Sequence, residues 1–421
     1  MREKITLPNG VRIMLERMDG VHSASVGIWV GNGSRHEPAS LSGISHFIEH
    51  IVFKGTRSRT AAQVAEIMDA IGGQVNAFTT KECTSFFIKA LDTHLAVALD
   101  VLCDMFFEPR IDEHDVAVER GVIAEEIGMY EDTPEDLVNE RLYSAVYKGT
   151  PLGRPILGSL SSLTRISARR MRQYMKDRYH SHSIIVSMAG SFSDSHVEFI
   201  KDHFMGIPES AHPVHDEVAY KPAFTTRRKP IEQNHLILAY GGLPIGSDER
   251  YAMQLLTSIL GGGMSSRLFQ EVRERRGLCY TIYAFSSSHQ DTGVTGICTA
   301  LSRETERDAM LLIRDEIRRF VQDGPKPEEL DRAREQAKAN LLMSMESNSS
   351  RMSHMGRSEL FLGRVNTPDE SAARFDAVTI GDVRALAGRL FEPGSLSFSA
   401  VGNVHDTGWY RAILERLGGS I

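Results

Sequence analysis

The chain has 421 residues, with 41% hydrophobic and 24% charged, the balance of a soluble globular protein long enough for two to four domains. A formal net charge of -7 is modest for this length, and with no block of like charges it gives no reason to expect a nucleic-acid partner. No apolar run of about 18 residues occurs, so no membrane-spanning helix is expected. The cysteines Cys83, Cys103, Cys279 and Cys298 are scattered without a CxxC pair and read as reduced, buried thiols.

The opening MREKITLPNGVRIMLE reads as a strand, a Pro-Asn-Gly turn and a second strand. It has neither a signal-peptide nor a transit-peptide pattern, and a cytoplasmic location is expected. HSASVGIWV alternates as a strand. SGISHFIEHIVFKGT is helical, with Ile44, Phe47, Ile48 and Ile51 spaced as an apolar face. His46 and His50 are four apart, project from one side of that helix and can share an ion. Glu49 stands three after His46 and beside His50, close enough to reach a water on that ion. The order is the inverse of the HExxH zinc motif, with the same physical logic. A bare HxxEH is of low specificity, so a second signal is needed.

AAQVAEIMDAIG is a further helix; a Gly-Gly turn then leads into the β-prone QVNAFT, the strand TSFFIKAL and the helix HLAVALDVLCDMFF. The second signal follows in HDVAVERGVIAEEIGMY, a helix with an apolar stripe through Val122, Ile123 and Ile127. Glu119 and Glu126 are 126 − 119 = 7 apart, two turns, on or beside that stripe. A carboxylate facing the core is unfavourable unless it meets a metal or a cation. Glu125, rotated by roughly 100°, can reach solvent.

The chain also repeats itself. SASVGIWVG (23–31) matches NHLILAYGG (234–242), an offset of 234 − 23 = 211. ISARRMRQYMKDRYH (166–180) matches IGDVRALAGRLFEPG (380–394) at 214, and IIVSMAGSF (184–192) matches LSFSAVGNV (396–404) at 212. Two homologous halves are expected, 1–210 and 228–421, joined by a Pro-, His- and charge-rich linker over 211–227. Each half reads as α+β: a mainly antiparallel sheet with helices packed on one face.

HFIEH followed by ERGVIAEE resembles the insulinase, pitrilysin and mitochondrial processing peptidase superfamily of inverted zincins, and the resemblance runs over essentially the whole chain. In that family the third zinc ligand is a glutamate about 76 residues after the second histidine. Here 126 − 50 = 76, which selects Glu126 over Glu125. The resemblance implies Zn2+ held by His46, His50 and Glu126, with Glu119 supporting the ligands from outside. It implies peptide hydrolysis in which Glu49 takes a proton from water and later passes it to the leaving amine. Asn76, Ala77, Phe78 and Thr79 match the family's edge strand, which pairs with extended substrate.

The second half carries no such ligand set. HFIEH faces LLTSI, and at an offset of 212 Glu119 and Glu126 correspond to Asp331 and Lys338, so this half is a non-catalytic copy. Arg273 and Tyr280, seven apart, match the Arg/Tyr pair with which the family contacts substrate near the zinc. The resemblance further implies a clamshell of two halves, and dimers of short chains enclosing a chamber that favours peptides and unfolded polypeptide segments over folded proteins. A homodimer is expected, with a heterodimer with a paralogue as the variant. The alternative is a non-catalytic scaffold or partner subunit, although no residue of the zinc motif has been lost. The HxH of His180 and His182, the methionines of LLMSMESNSSRMSHMG and the sequon at Asn348 are read as structural or incidental.

Overall fold

The computed structural model describes residues 2–209 and 217–415. They pack into two compact units, 2–128, 154–209 and 342–366 in the first, and 129–153, 217–341 and 367–415 in the second. Neither unit is contiguous in sequence, because each half contributes one helical segment to the other half's unit.

In the first unit the Pro-Asn-Gly turn joins β1 (Arg2–Thr6) to β2 (Arg12–Arg17), an antiparallel hairpin with Arg2 opposite Glu16. With β3 (Ser23–Val30), β4 (Gln74–Thr79), β5 (Thr84–Leu91) and β6 (Ile184–Gly190) it forms a six-stranded sheet ordered β1-β2-β6-β3-β5-β4. The β2–β6 pair is parallel and the remaining neighbours are antiparallel. Val26, Ile28 and Val30 of β3 and Ile184, Val186 and Met188 of β6 face one way, into a core shared with helices Ile44–Ile51, Leu95–Phe107, Ala168–Arg178 and Asp194–Phe204.

The opposite face is buried too, by a single helix, Asn348–Leu362, contributed from the second half of the sequence. Trp29, Ile185 and Ala189 pack there against Met352 and Met355. Asn348 is buried, donating to the Ser23 carbonyl (3.0 Å) and accepting from the Ser25 hydroxyl (3.0 Å), so in the folded chain the sequon cannot carry a glycan. Buried Glu359 pairs with Lys4 (2.7 Å) and Arg12 (3.1 Å), and Glu16 with Arg2 and Arg351. The contact is close: a Cβ on Gly356 would lie 2.1 Å from Trp29 Nε1. Gly356→Ala is therefore expected to destabilise the first unit by about 1–3 kcal/mol through overpacking. Chemical denaturation checks it; an unchanged midpoint would show that the helix does not seat so tightly.

The second unit repeats the plan. Strands β7 (Phe224–Arg228), β8 (Asn234–Gly241), β9 (Cys279–Ser288), β10 (Gly293–Leu301) and β11 (Ser397–Gly402) are ordered β7-β11-β8-β10-β9, with β7 parallel to β11. This matches β2-β6-β3-β5-β4 strand for strand. Helices Arg250–Gly261, Glu306–Asp323 and Ile380–Leu390 cover one face, and helix Pro134–Val146 from the first sequence half covers the other, against Ile237, Ala239, Val294 and Val401. The two exchanged helices start 348 − 134 = 214 residues apart, at the spacing of the repeat. Within the expected linker 211–227, Phe224 starts β7 and its ring lies tilted against Phe398 with centroids 5.9 Å apart. Residues 211–216 lie outside the described residues. All four cysteines are free; Cys279 is half-buried rather than buried, since it begins the edge strand β9.

Candidate metal centre

The helix Ile44–Ile51 is set in place from its N-terminus. Gly43 adopts φ 94°, and a Cβ there would meet the Leu157 carbonyl oxygen at 2.6 Å, so glycine is required. The buried carboxylate of Glu37 accepts from the Gly43 amide (2.7 Å) and the Ser45 amide (2.8 Å), capping a helix whose own cap residue has no side chain. Burial pushes Glu37 up to about 7, against the pull of the Ser45 and Gly43 amides and the Arg154 guanidinium. Ile44, Phe47, Ile48 and Ile51 are fully buried, as their spacing predicts, while His46 is buried and His50 half-buried.

The second contributor is the helix Glu113–Asp132. Its buried stripe runs through Val116, Glu119 and Ile123 with Ile127 beside it; Val122 is 47% exposed and does not belong to it. The stripe is centred about one residue-step (roughly 100°) away from Val122, which turns that side chain to solvent. Glu126 is half-buried and Glu125 exposed.

Among the described residues, His46, His50 and Glu126 form the group whose donor atoms converge, all within 4.8 Å of one another. Glu126 Oε2 lies 3.6 Å from His46 Nε2 and 3.6 Å from His50 Nε2. Donors about 2.0–2.1 Å from a tetrahedral zinc stand roughly 3.4 Å apart, so the spacing suits that ion. Burial, then neighbouring His50, lowers His46 to about 4, which keeps its imidazole neutral near pH 7 as a ligand must be. Burial raises Glu126, with His50 opposing. Among the described residues Glu126 Oε2 is buried with no hydrogen-bond partner, a costly arrangement that a bound cation relieves. Two imidazoles and one carboxylate fit zinc with a fourth position left open.

Glu49 shares the helix with both histidines, and its Oε2 is buried without a hydrogen-bond partner among the described residues. Burial raises its pKa, Thr79 and His50 pull it down, and Glu126 adds to the rise. Glu119 is 3% exposed and accepts from His50 Nδ1 at 3.1 Å. Asn76, Ala77, Phe78 and Thr79 lie on β4, at the edge of the six-stranded sheet, with the helix Ile44–Ile51 packed against it. Ala77 faces the helix-covered core, while Phe78 lies against Trp29 with centroids 5.7 Å apart.

Arg273 and Tyr280 belong to the second unit and meet there. Arg273 lies in a π-helical turn, Phe269–Glu274, its guanidinium carbon 4.6 Å from the Phe269 ring centroid and 4.9 Å from that of Tyr280, which is 74% exposed. Asp331 and Lys338, at the repeat positions of Glu119 and Glu126, lie on the helix Pro327–Ser344, and Lys338 pairs with Glu335 (2.7 Å) and Asp376 (2.9 Å). Sequence reasoning misses Glu37 and Lys54. Glu37 is a lone glutamate ahead of a helix with an uncapped start, and Lys54 stands one turn after His50, the only signals that could have found them.

The family model described as insulinase (peptidase family M16) matches residues 12–160, and the peptidase M16 inactive-domain model matches residues 165–337. The uncharacterized zinc protease YmxG of Bacillus subtilis is 42% identical over 395 residues, covering 93% of this chain and 96% of that protein. An uncharacterized zinc protease of Streptomyces coelicolor is 38% identical, covering 91% and 86%. A crystal structure from Pseudomonas fluorescens, titled a peptidase M16 inactive domain, aligns with a TM-score of 0.89 at 18% identity over 96% of this chain and 98% of that one. A protease from Helicobacter pylori aligns at 0.88 and 21% identity over 95% and 99%. At those identities the solved structures speak to the fold alone.

Proposed function

We propose, from the premise that this chain belongs to the insulinase family of peptidases (peptidase family M16), that it is an endopeptidase of peptides and unfolded polypeptide segments with Glu49 as its proton-transferring base. That it is a zinc-dependent metallopeptidase follows from the family and from its zinc-protease relatives. The observation that carries the finer reading is the convergence of His46, His50 and Glu126 beside a buried, unpartnered Glu49 oxygen.

His46, His50 and Glu126 would hold the zinc. When bound, zinc polarises the scissile carbonyl and lowers the pKa of adjacent water toward neutrality. Glu49 Oε2, which no described residue hydrogen-bonds, takes the proton of the attacking water and returns it to the leaving amine. The rise in the Glu49 pKa is in the direction a proton acceptor at neutral pH needs. The outer edge of β4, from Asn76 to Thr79, is suited to take an extended substrate as an added strand. Arg273 and Tyr280 are assigned to the substrate main chain and its developing oxyanion. On this reading Tyr280→Phe lowers kcat about a hundredfold with zinc content and melting temperature unchanged. Parent-like kcat and KM in both Tyr280→Phe and Arg273→Ala would remove the pair from the reaction.

The working assembly is proposed as a homodimer enclosing its substrate, or a heterodimer with a paralogue, in the cytoplasm. No helix of the described residues is long and apolar enough to cross a membrane. The test is cleavage of a peptide library by the purified chain, with and without added zinc, alongside a solution mass. Zinc-dependent internal cuts support the reading. A zinc-loaded chain that cuts nothing would make it a non-catalytic partner subunit.

A further inference from the structure

Lys54 lies in the turn that closes the zinc helix, four residues after His50. Its ammonium stands 2.5 Å from Glu119 Oε1, while Glu119 Oε2 stands 3.1 Å from His50 Nδ1. One buried carboxylate thus bridges a lysine and the far side of a metal-facing imidazole. We propose that Lys54 is a positioning residue for zinc: acting through Glu119, it holds the His50 ring with Nε2 directed at the metal position. The inference rests on the reading of His46, His50 and Glu126 as the ligands.

Three observations carry it. A carboxylate offers only acceptors, so the His50–Glu119 contact places the proton on Nδ1 and leaves the Nε2 lone pair free. That nitrogen lies 3.6 Å from Glu126 Oε2. The equivalent outer nitrogen of the other ligand, His46 Nδ1, is buried with no hydrogen-bond partner among the described residues. Orientation of the ligand set from outside is therefore concentrated on His50.

The lysine is also held for this contact. Gly55, the next residue, adopts φ +110°, and a Cβ there would meet the Arg59 carbonyl oxygen at 2.7 Å. Arg110 donates its guanidinium to the Lys54 carbonyl (3.2 Å) and its amide to the Gly55 carbonyl (2.9 Å). The backbone turn presets where the ammonium can reach. Surface ion pairs contribute little as a rule, and the Lys54 side chain is 36% exposed. Here the partner is buried, and no described residue donates a hydrogen bond to Glu119 Oε1, so the ammonium meets that oxygen as an ion pair. Without the ammonium, that buried oxygen loses the cation beside it and the carboxylate is free to turn away from His50 Nδ1.

Zinc affinity, measured by competition with a chromogenic chelator starting from the metal-free chain, tests this apart from turnover. Lys54→Met should weaken zinc about 10- to 100-fold, the usual cost of losing an outer partner of a ligand. Lys54→Arg should recover most of it. In a Glu119→Gln background Lys54→Met should add nothing, because the lysine acts through that carboxylate, whereas a general structural role would add in full. Should Lys54→Met fail to fold, as judged by circular dichroism, Lys54→Gln serves the same comparison. Parent affinity in Lys54→Met, or full additivity with Glu119→Gln, overturns the proposal. His50→Ala in the same titration separates the two levels: if it too binds zinc like the parent, the ligand assignment is what fails.

Discussion

Glu49→Gln is expected to bind zinc as the parent does, melt at the same temperature, and lose two to four orders of magnitude in peptide turnover, the range for removing a general base. The substitution keeps the shape of a side chain in a packed position, so the fold has nothing to repair. It removes the one property the site uses, an oxygen able to accept a proton. That oxygen is buried and accepts no hydrogen bond from a described residue, so the amide breaks none there. Loss should fall on kcat with KM little changed, since the contact matters in the transition state and not in substrate binding. Undiminished turnover by a zinc-loaded Glu49→Gln chain would assign proton transfer to another group.

Much of this was readable in the residues because the relevant forces are local. The four-residue step between His46 and His50 puts both rings on one side of any helix, whatever packs against it. The seven-residue step from Glu119 to Glu126 does the same for the carboxylates, and the repeat offset carries over into two sheets with the same strand order. The sequence pattern puts Val122 on the stripe of the glutamate helix although that side chain is exposed, because an apolar residue at a stripe's margin reads the same in sequence as one at its centre.

What was hidden depends on distant parts of the chain. Each sheet was expected to carry helices on one face, and most of its helices do lie there. Yet every residue of β6 and of β10 is buried, where a strand with a wet face would alternate. The apolar run IIVSMAG therefore signalled that both faces need cover, but not that the cover for β6 comes from residues 348–362. Nor could sequence show Glu37 reaching across six residues to the Gly43 amide, or Lys54 meeting Glu119, which is 65 residues away (119 − 54). Those contacts exist only once the chain has turned at Gly43 and Gly55.

Zinc binding should collapse when any one of the three donors is removed. His46→Ala, His50→Ala and Glu126→Ala are each expected to fall from about one zinc per chain to a small fraction under mild chelation. Sharing the roughly 10–16 kcal/mol of a four-ligand zinc site equally gives about 2.5–4 kcal/mol per ligand, or two to three orders of magnitude in affinity. The same measurement on Glu125→Ala decides between neighbouring glutamates: its side chain is exposed, and occupancy should not change. Thermal denaturation gives a second reading. In the parent, zinc at a hundred times its dissociation constant should stabilise the fold by about 2.7 kcal/mol, and a chelator should remove that increment. The three alanine variants should melt at one temperature with or without chelator, since nothing remains to be removed. Full zinc occupancy in both His46→Ala and Glu126→Ala, confirmed by elemental analysis, would mean that the ion sits elsewhere. The convergence of His46, His50 and Glu126 would then have to be explained without a metal. Burial of a Glu126 oxygen that no described residue hydrogen-bonds, beside two imidazoles, makes that the harder case, because a bound cation would offset the cost of burying it.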